Sequence, residues 1–190
     1  MQHSQHSASK VSKKLQDKRV FFVLIFIGFL VFFYGAFNYY NARILSFSSV
    51  PEAVALASQN LDLPVEIMIP SIKTDLKVDP GTIKDGVWQI SDTNATFLVT
   101  SVTPGSGGNT VIYGHNKKVI FGNLPYLSVG QTIAVKTRSG KIYNYLVESK
   151  YFVDPGRIDL VSPTKNSELT VFTCWGWFDS ERVVVKAKPI

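Results

Sequence analysis

A single cysteine, Cys174, stands in this 190-residue sequence, so no intramolecular disulfide is open to it. Such a thiol is either a small hydrophobe of the interior or a nucleophile. Its neighbours bear on the choice. Leu169-Thr170-Val171-Phe172-Thr173-Cys174 reads as a strand ending at the cysteine, and Arg182-Val183-Val184-Val185 as a strand beginning at the arginine. Paired as a hairpin, these strands bring Cys174 and Arg182 together at its mouth. A guanidinium there favours the thiolate, and it also holds a substrate carbonyl oxygen as negative charge develops on it. The plain alternative is a strand-end arginine paired with Glu181 or Asp179. His115 follows the apolar run Val111-Ile112-Tyr113 and a glycine. One imidazole serves both proton transfers a thiol nucleophile requires, first taking the thiol proton and then protonating the leaving amine. Alone, His115 would be an ordinary turn histidine; the three residues together describe nucleophilic catalysis by a thiol.

Competing chemistries fare worse on the same residues. Zinc takes three or four protein ligands, and one Cys plus one His lack the clustered carboxylates to complete a site, so no metal is expected. Pro104-Gly105-Ser106-Gly107-Gly108 lacks the Gly-x-Ser-x-Gly spacing of a serine nucleophile and reads as a turn. No Gly-rich phosphate loop or dinucleotide fingerprint is present. The net charge of +6 is concentrated at one end: Lys10, Lys13, Lys14, Lys18 and Arg19 stand against Asp17 alone. Residues 44–190 carry 14 basic and 13 acidic side chains, too balanced for a phosphate-binding face, so nucleic acid is not an expected partner.

The elements that must position these residues begin with an anchor. Residues 1–19 form a basic, polar tail, in which His3 and His6 are given no role. Val20 to Phe37 contains no charge and is long enough to cross most of a bilayer core of about 30 Å. Tyr34, Tyr39 and Tyr40 suit the lipid interface beyond it. A cleaved signal peptide is the alternative, but its apolar region is usually shorter and ends at a small-residue site not evident here. Positive charge before the span predicts a cytoplasmic N-terminus with the remainder outside, in contact with the lipid bilayer through this anchor. Residues 38–63 read as a juxtamembrane linker carrying a short helix near 50–60, opened by Ser49-Val50-Pro51-Glu52. From 64 to 190 the pattern becomes short β-rich runs cut by Gly, Pro, Asn and Asp: 65–69, 96–100, 110–113, 132–136, 143–153, 169–173 and 182–187. That pattern predicts an all-β sandwich or closed barrel.

These residues resemble the sortase family of bacterial cysteine transpeptidases over roughly 64–188. Thr170-Val171-Phe172-Thr173-Cys174 followed by Arg182-Val183-Val184-Val185 is similar to the family's Thr-Leu-x-Thr-Cys strand and downstream arginine strand. Gly107-Gly108-Asn109-Thr110-Val111-Ile112-Tyr113-Gly114-His115-Asn116 resembles its glycine-asparagine strand ending in Gly-His. Ile67-Met68-Ile69-Pro70-Ser71-Ile72 and the spacing of Phe121, Leu124, Leu127 and Gly130 add weaker support. Val171 stands where the family usually has Leu, a change a strand tolerates.

The resemblance implies an eight-stranded closed β-barrel with short helices, Cys174 as nucleophile, His115 as general acid and base, and Arg182 as stabiliser of substrate and oxyanion. Thr173 carries over as a supporting polar contact to substrate. Trp175 and Trp177, in a short and unusually aromatic loop, either line the substrate groove or cap the barrel. In the family the cysteine attacks the Thr–Gly bond of a Leu-Pro-x-Thr-Gly-like sorting signal near the C-terminus of a secreted protein. The thioester then passes to an amine acceptor such as a cell-wall precursor or a pilin lysine. With no evident N-terminal lid segment, wall attachment is expected over pilin polymerisation. No cofactor is expected; the scattered acids neither identify nor exclude calcium activation. A plain cysteine endopeptidase and a catalytically silent peptide-binding barrel are the competing readings.

Overall fold

The computed structural model describes residues 5–42, 62–84 and 87–190. The chain divides into two units between Asn41 and Ala42. The first holds all but the last residue of one helix, α1 (Gln5–Ala42), of 38 residues. Within it the 20 residues Lys18–Phe37 are long and apolar enough to span a membrane, and every one is exposed. Apolar side chains run all round this segment instead of along one stripe, a surface suited to lipid and not to a protein core. Helical backbone also satisfies its own polar groups, as a bilayer interior requires. The short helix expected near 50–60 lies outside the described residues.

The second unit is built on strands β1 (Pro64–Ile69), β2 (Thr74–Gly81), β3 (Ile83–Lys84), β4 (Val87–Trp88) and β5 (Ala95–Leu98). They are followed by β6 (Asn109–Tyr113), β7 (Thr132–Thr137), β8 (Ile142–Val153), β9 (Glu168–Trp175) and β10 (Glu181–Pro189). Eight of them close a barrel in the order β1-β2-β5-β6-β9-β10-β8-β7, while β3 and β4 form a separate two-stranded ribbon. The sheet is mixed: β2 runs parallel to β5, and β6 runs parallel to β9. Strand β2, absent from the sequence reading, closes the ring between β1 and β5.

Alternation along the strands divides the apolar residues between two cores. Ile67, Ile69, Phe97, Ile112, Ile133, Val135, Val171, Val183 and Val185 fill the barrel. Phe121, Leu124 and Leu127, from the connection after β6, plug it and are wholly buried. The opposite faces of β6, β9 and β10 supply Val111, Tyr113, Phe172, Cys174 and Val184 to a second cluster. Trp88 covers this outer cluster from β4, and Leu160 and Val161 cover it from the 3-10 turn at Ile158–Val161. Cys174 thus belongs to a sheet face roofed by loops, not to the barrel interior.

Candidate active site

The site follows from two strand pairings. Because β6 and β9 are parallel neighbours, with Tyr113 beside Phe172, both leave the barrel at the same rim. His115 lies just beyond the end of one strand, and Cys174 is the penultimate residue of the other. The antiparallel β9–β10 pair sets Arg182 directly across from Cys174, the juxtaposition expected of a hairpin. Both side chains are 3% exposed.

Gly114 has a steric reason to be glycine. A Cβ there would come within 2.9 Å of Ile120 Cγ2 and Phe121 Cδ2, so only a bare backbone passes between the strand end and the barrel plug. The Thr173 hydroxyl donates to the Gly114 carbonyl at 2.8 Å, tying the residue before His115 to the residue before Cys174. Thr173 is wholly buried. Its place is therefore beneath the site, where it fixes backbone; the structure gives it no surface to offer a substrate.

Burial decides the resting state of the thiol. Desolvation pushes the Cys174 thiol up from 9.0 to about 12, Arg182 opposes that rise, and Asp179 reinforces it. The guanidinium acts in the direction expected from sequence, but it does not overcome burial. Burial thus favours the neutral thiol, and a base beside it would be required to make it a nucleophile.

Between the two strands the loop is strained. Gly176, Phe178 and Asp179 all have positive φ, at 81°, 55° and 58°. Two consecutive non-glycine residues in the left-handed region are uncommon and costly. The Arg182 Nη1 donates to the Asp179 and Glu181 carbonyls, each at 2.8 Å, so part of the guanidinium is occupied by the loop's own main chain. Trp175 is half-buried, packing against the barrel core and edge-on to Phe152 at 6.4 Å. Trp177 is 82% exposed and meets Phe178 edge-on at 5.4 Å. These two tryptophans, grouped by the sequence reading, do different work: one packs at the barrel rim and the other projects into solvent.

Cys174, His115, Asn116, Lys117, Asp92 and Asp179 line one cavity of about 210 Å³. In the buried cluster that holds Cys174, the Tyr113 and Phe172 rings stack at 5.3 Å and Trp88 is set edge-on to both. Asp92, which the sequence reading passed over, lies with Oδ1 3.7 Å from His115 Nε2. Nothing in its Ser-Asp-Thr-Asn surroundings marks it locally, because its partner lies 23 residues further on, beyond β5 and β6. Among the described residues no group of three or more His, Cys, Asp or Glu converges to hold a metal.

A buried thiol facing an arginine, at the rim where a strand ending in Gly-His emerges from a closed mixed barrel, defines a recognisable class of protein. This chain belongs to the sortase family, the Sortase domain model matching residues 67–190; members of that family are generally cysteine transpeptidases. Among solved structures, sortase D5 of Clostridium perfringens is 26% identical, with a TM-score of 0.57 over 66% of this chain and 77% of its own. Sortase C2 of Group B Streptococcus pilus island 1 is 22% identical, with a TM-score of 0.59 over 79% of this chain and 92% of its own. Sortase C1 of that island is 20% identical, with a TM-score of 0.55 over 66% of this chain and 64% of its own. The two streptococcal likenesses establish fold. The comparison with curated protein sequences returns no match.

Proposed function

We propose that this chain is a membrane-anchored cysteine transpeptidase, with Cys174 as nucleophile, His115 as general acid and base, and Arg182 as stabiliser of the oxyanion. The observation that carries the proposal is the register of Cys174 against Arg182, with Cys174 and His115 lining one cavity. His115 takes the thiol proton, and Sγ attacks the carbonyl carbon of the Thr–Gly bond in a Leu-Pro-x-Thr-Gly-like signal. A C–S bond forms, the C–N bond breaks, and the proton leaves with the amine. An acceptor amine then attacks the thioester, and the proton it loses restores the thiol. Arg182 stabilises the oxyanion at both stages by releasing a loop carbonyl and taking the substrate's oxygen in its place.

The acceptor is an amine of a cell-wall precursor, with the lysine of a pilin subunit as the competing acceptor. The cargo is a secreted protein carrying the signal. The helix anchors the enzyme in the bacterial plasma membrane with the basic tail cytoplasmic and the catalytic unit outside, as five positive charges before the span favour. No metal takes part in these steps, and a chelator is expected to leave transfer unchanged; large stimulation by calcium overturns that assignment.

Intact-mass analysis of the detergent-solubilised full chain, incubated with a panel of such peptides, tests the reading. An acyl adduct lost in Cys174→Ala and discharged onto added triglycine or a lysine peptide is the expected result. Equal peptide release with and without amine would identify an endopeptidase, and absence of any adduct on the folded protein would leave a binding barrel.

A further inference from the structure

We infer that Asp92 is the positioning residue for His115, held at the rim of the cavity by a loop built for that purpose; the inference rests on the proposed role of His115. Asp92 Oδ1 lies 3.7 Å from His115 Nε2 and 3.6 Å from Lys117 Nζ, and Lys117 Nζ also donates to the Asp92 carbonyl at 3.1 Å. Lys117 thereby grips both the main chain and the side chain of Asp92. An exposed carboxylate is ordinarily a poor positioning group, because water screens it and its chain wanders. Here the side chain is 88% exposed, yet the segment that bears it is fixed at several points.

The Tyr113 hydroxyl donates to the Gln89 carbonyl at the start of that segment. Asp79, on β2, accepts from Ser91 Oγ at 2.7 Å and from Asn94 Nδ2 at 2.9 Å. Ser91 N donates to Thr96 Oγ1 at 2.9 Å, and Asn94 N donates to Ser91 Oγ at 3.2 Å. The two donors on Asp79 hold its carboxyl below the usual carboxylate range, so it is charged whenever the protein is near neutrality. Residues on both sides of Asp92 are thus bonded to the barrel, and Asp92 itself projects between them toward the imidazole.

With the carboxylate 3.7 Å from Nε2, that edge of the ring is drawn toward Asp92. The carboxylate also favours the imidazolium that forms when Cys174 gives up its proton, which matters because burial makes that thiol a weak acid. The other charged or titratable groups at the cavity are Lys117, Asp179 and Cys174, with Arg182 across the hairpin. Lys117, 3.6 Å from the same oxygen, opposes the effect of Asp92 on His115.

The test is the His115 ring titration, followed by NMR on the full chain in micelles and assigned by its loss in His115→Gln. In Asp92→Asn the titration midpoint moves to lower pH by about half a unit, and in Asp92→Glu it stays near wild type. Peptide transfer by Asp92→Asn falls about three- to tenfold in kcat with KM unchanged, and Asp92→Glu restores most of it. A group that merely braced the loop would change Tm and leave the ring titration where it was. An unmoved midpoint in Asp92→Asn, with the fold intact, overturns the inference. Should the wild-type enzyme transfer no peptide, the proposed function fails while the titration still reports whether Asp92 governs His115.

Discussion

Cys174 and its neighbours define a contest between solvation and charge. Arg182 lowers the thiol's ionisation range and Asp179 raises it, with burial outweighing both. Asp179→Asn is therefore expected to speed alkylation of Cys174 by iodoacetamide at pH 9, and Arg182→Gln to slow it. Asparagine tolerates the left-handed backbone found at 179, so that substitution changes charge with little added strain. The same shift sets a stability profile. The folded thiol holds its proton up to about 12 while the unfolded one releases it near 9.0, so its contribution is complete below pH 9.0 and drains away as pH approaches 12. Tyr145, raised from 10.0 to about 12, adds to the upper part of that decline. Urea-unfolding midpoints measured across this range should fall less steeply in Cys174→Ala than in wild type.

At the scale of elements, the join between β6 and the plug is the most exacting. Gly114→Ala places a methyl group against Ile120 and Phe121, and is expected to cost about 1–3 kcal/mol in unfolding free energy. Thr173→Val removes the hydroxyl that Gly114's carbonyl accepts from, at about 1–2 kcal/mol. Peptide transfer should fall further than stability in both, because each shifts the backbone that carries His115; denaturant curves beside kcat/KM would show this. Strands rich in Val, Ile and Phe were legible in the sequence, as was the Cys174–Arg182 hairpin, because local pattern and short separation determine them. Strand β2 was not: Asp75, Asp79, Pro80 and Gly81 are poor strand formers that mask the alternation of Leu76 and Val78, and two neighbouring strands supply its pairing. The parallel β6–β9 contact was invisible for a related reason, since it joins segments separated by the whole β7–β8 excursion. The roles of Thr173 and Asp92 depend on that contact and on a loop with no periodic signal, so no local reading separates them from their neighbours.

For the molecule as a whole, the 20-residue exposed apolar segment of α1 and the barrel have separable tasks. Lysines placed at Phe26 and Phe29, on one side of the helix, each cost about 2.5–3.5 kcal/mol of insertion near a bilayer centre. The double variant is expected to leave the membrane fraction in flotation, while peptide transfer by the purified chain in detergent stays near wild type. Loss of transfer with the barrel still folded would mean that the helix takes part in more than anchoring.

Closure of the barrel also governs how an extended peptide is read. Each of its eight strands is bonded to a neighbour on both sides along part of its length, and the stretch of β8 from 148 to 153 pairs with β10 alone, so the barrel offers a visiting strand only a short edge. Recognition by β-augmentation, which is tolerant of side chains because it reads backbone, has little of this barrel to use. Discrimination among peptides by the proposed transpeptidase is then expected from side chains around the cavity, among them Asp92, Asn116, Lys117 and Asp179. A grafted 176–180 loop is expected to change which peptide is accepted and the rate of transfer with it, because Asp179 borders Cys174 and its carbonyl accepts from Arg182, while the barrel melts as before.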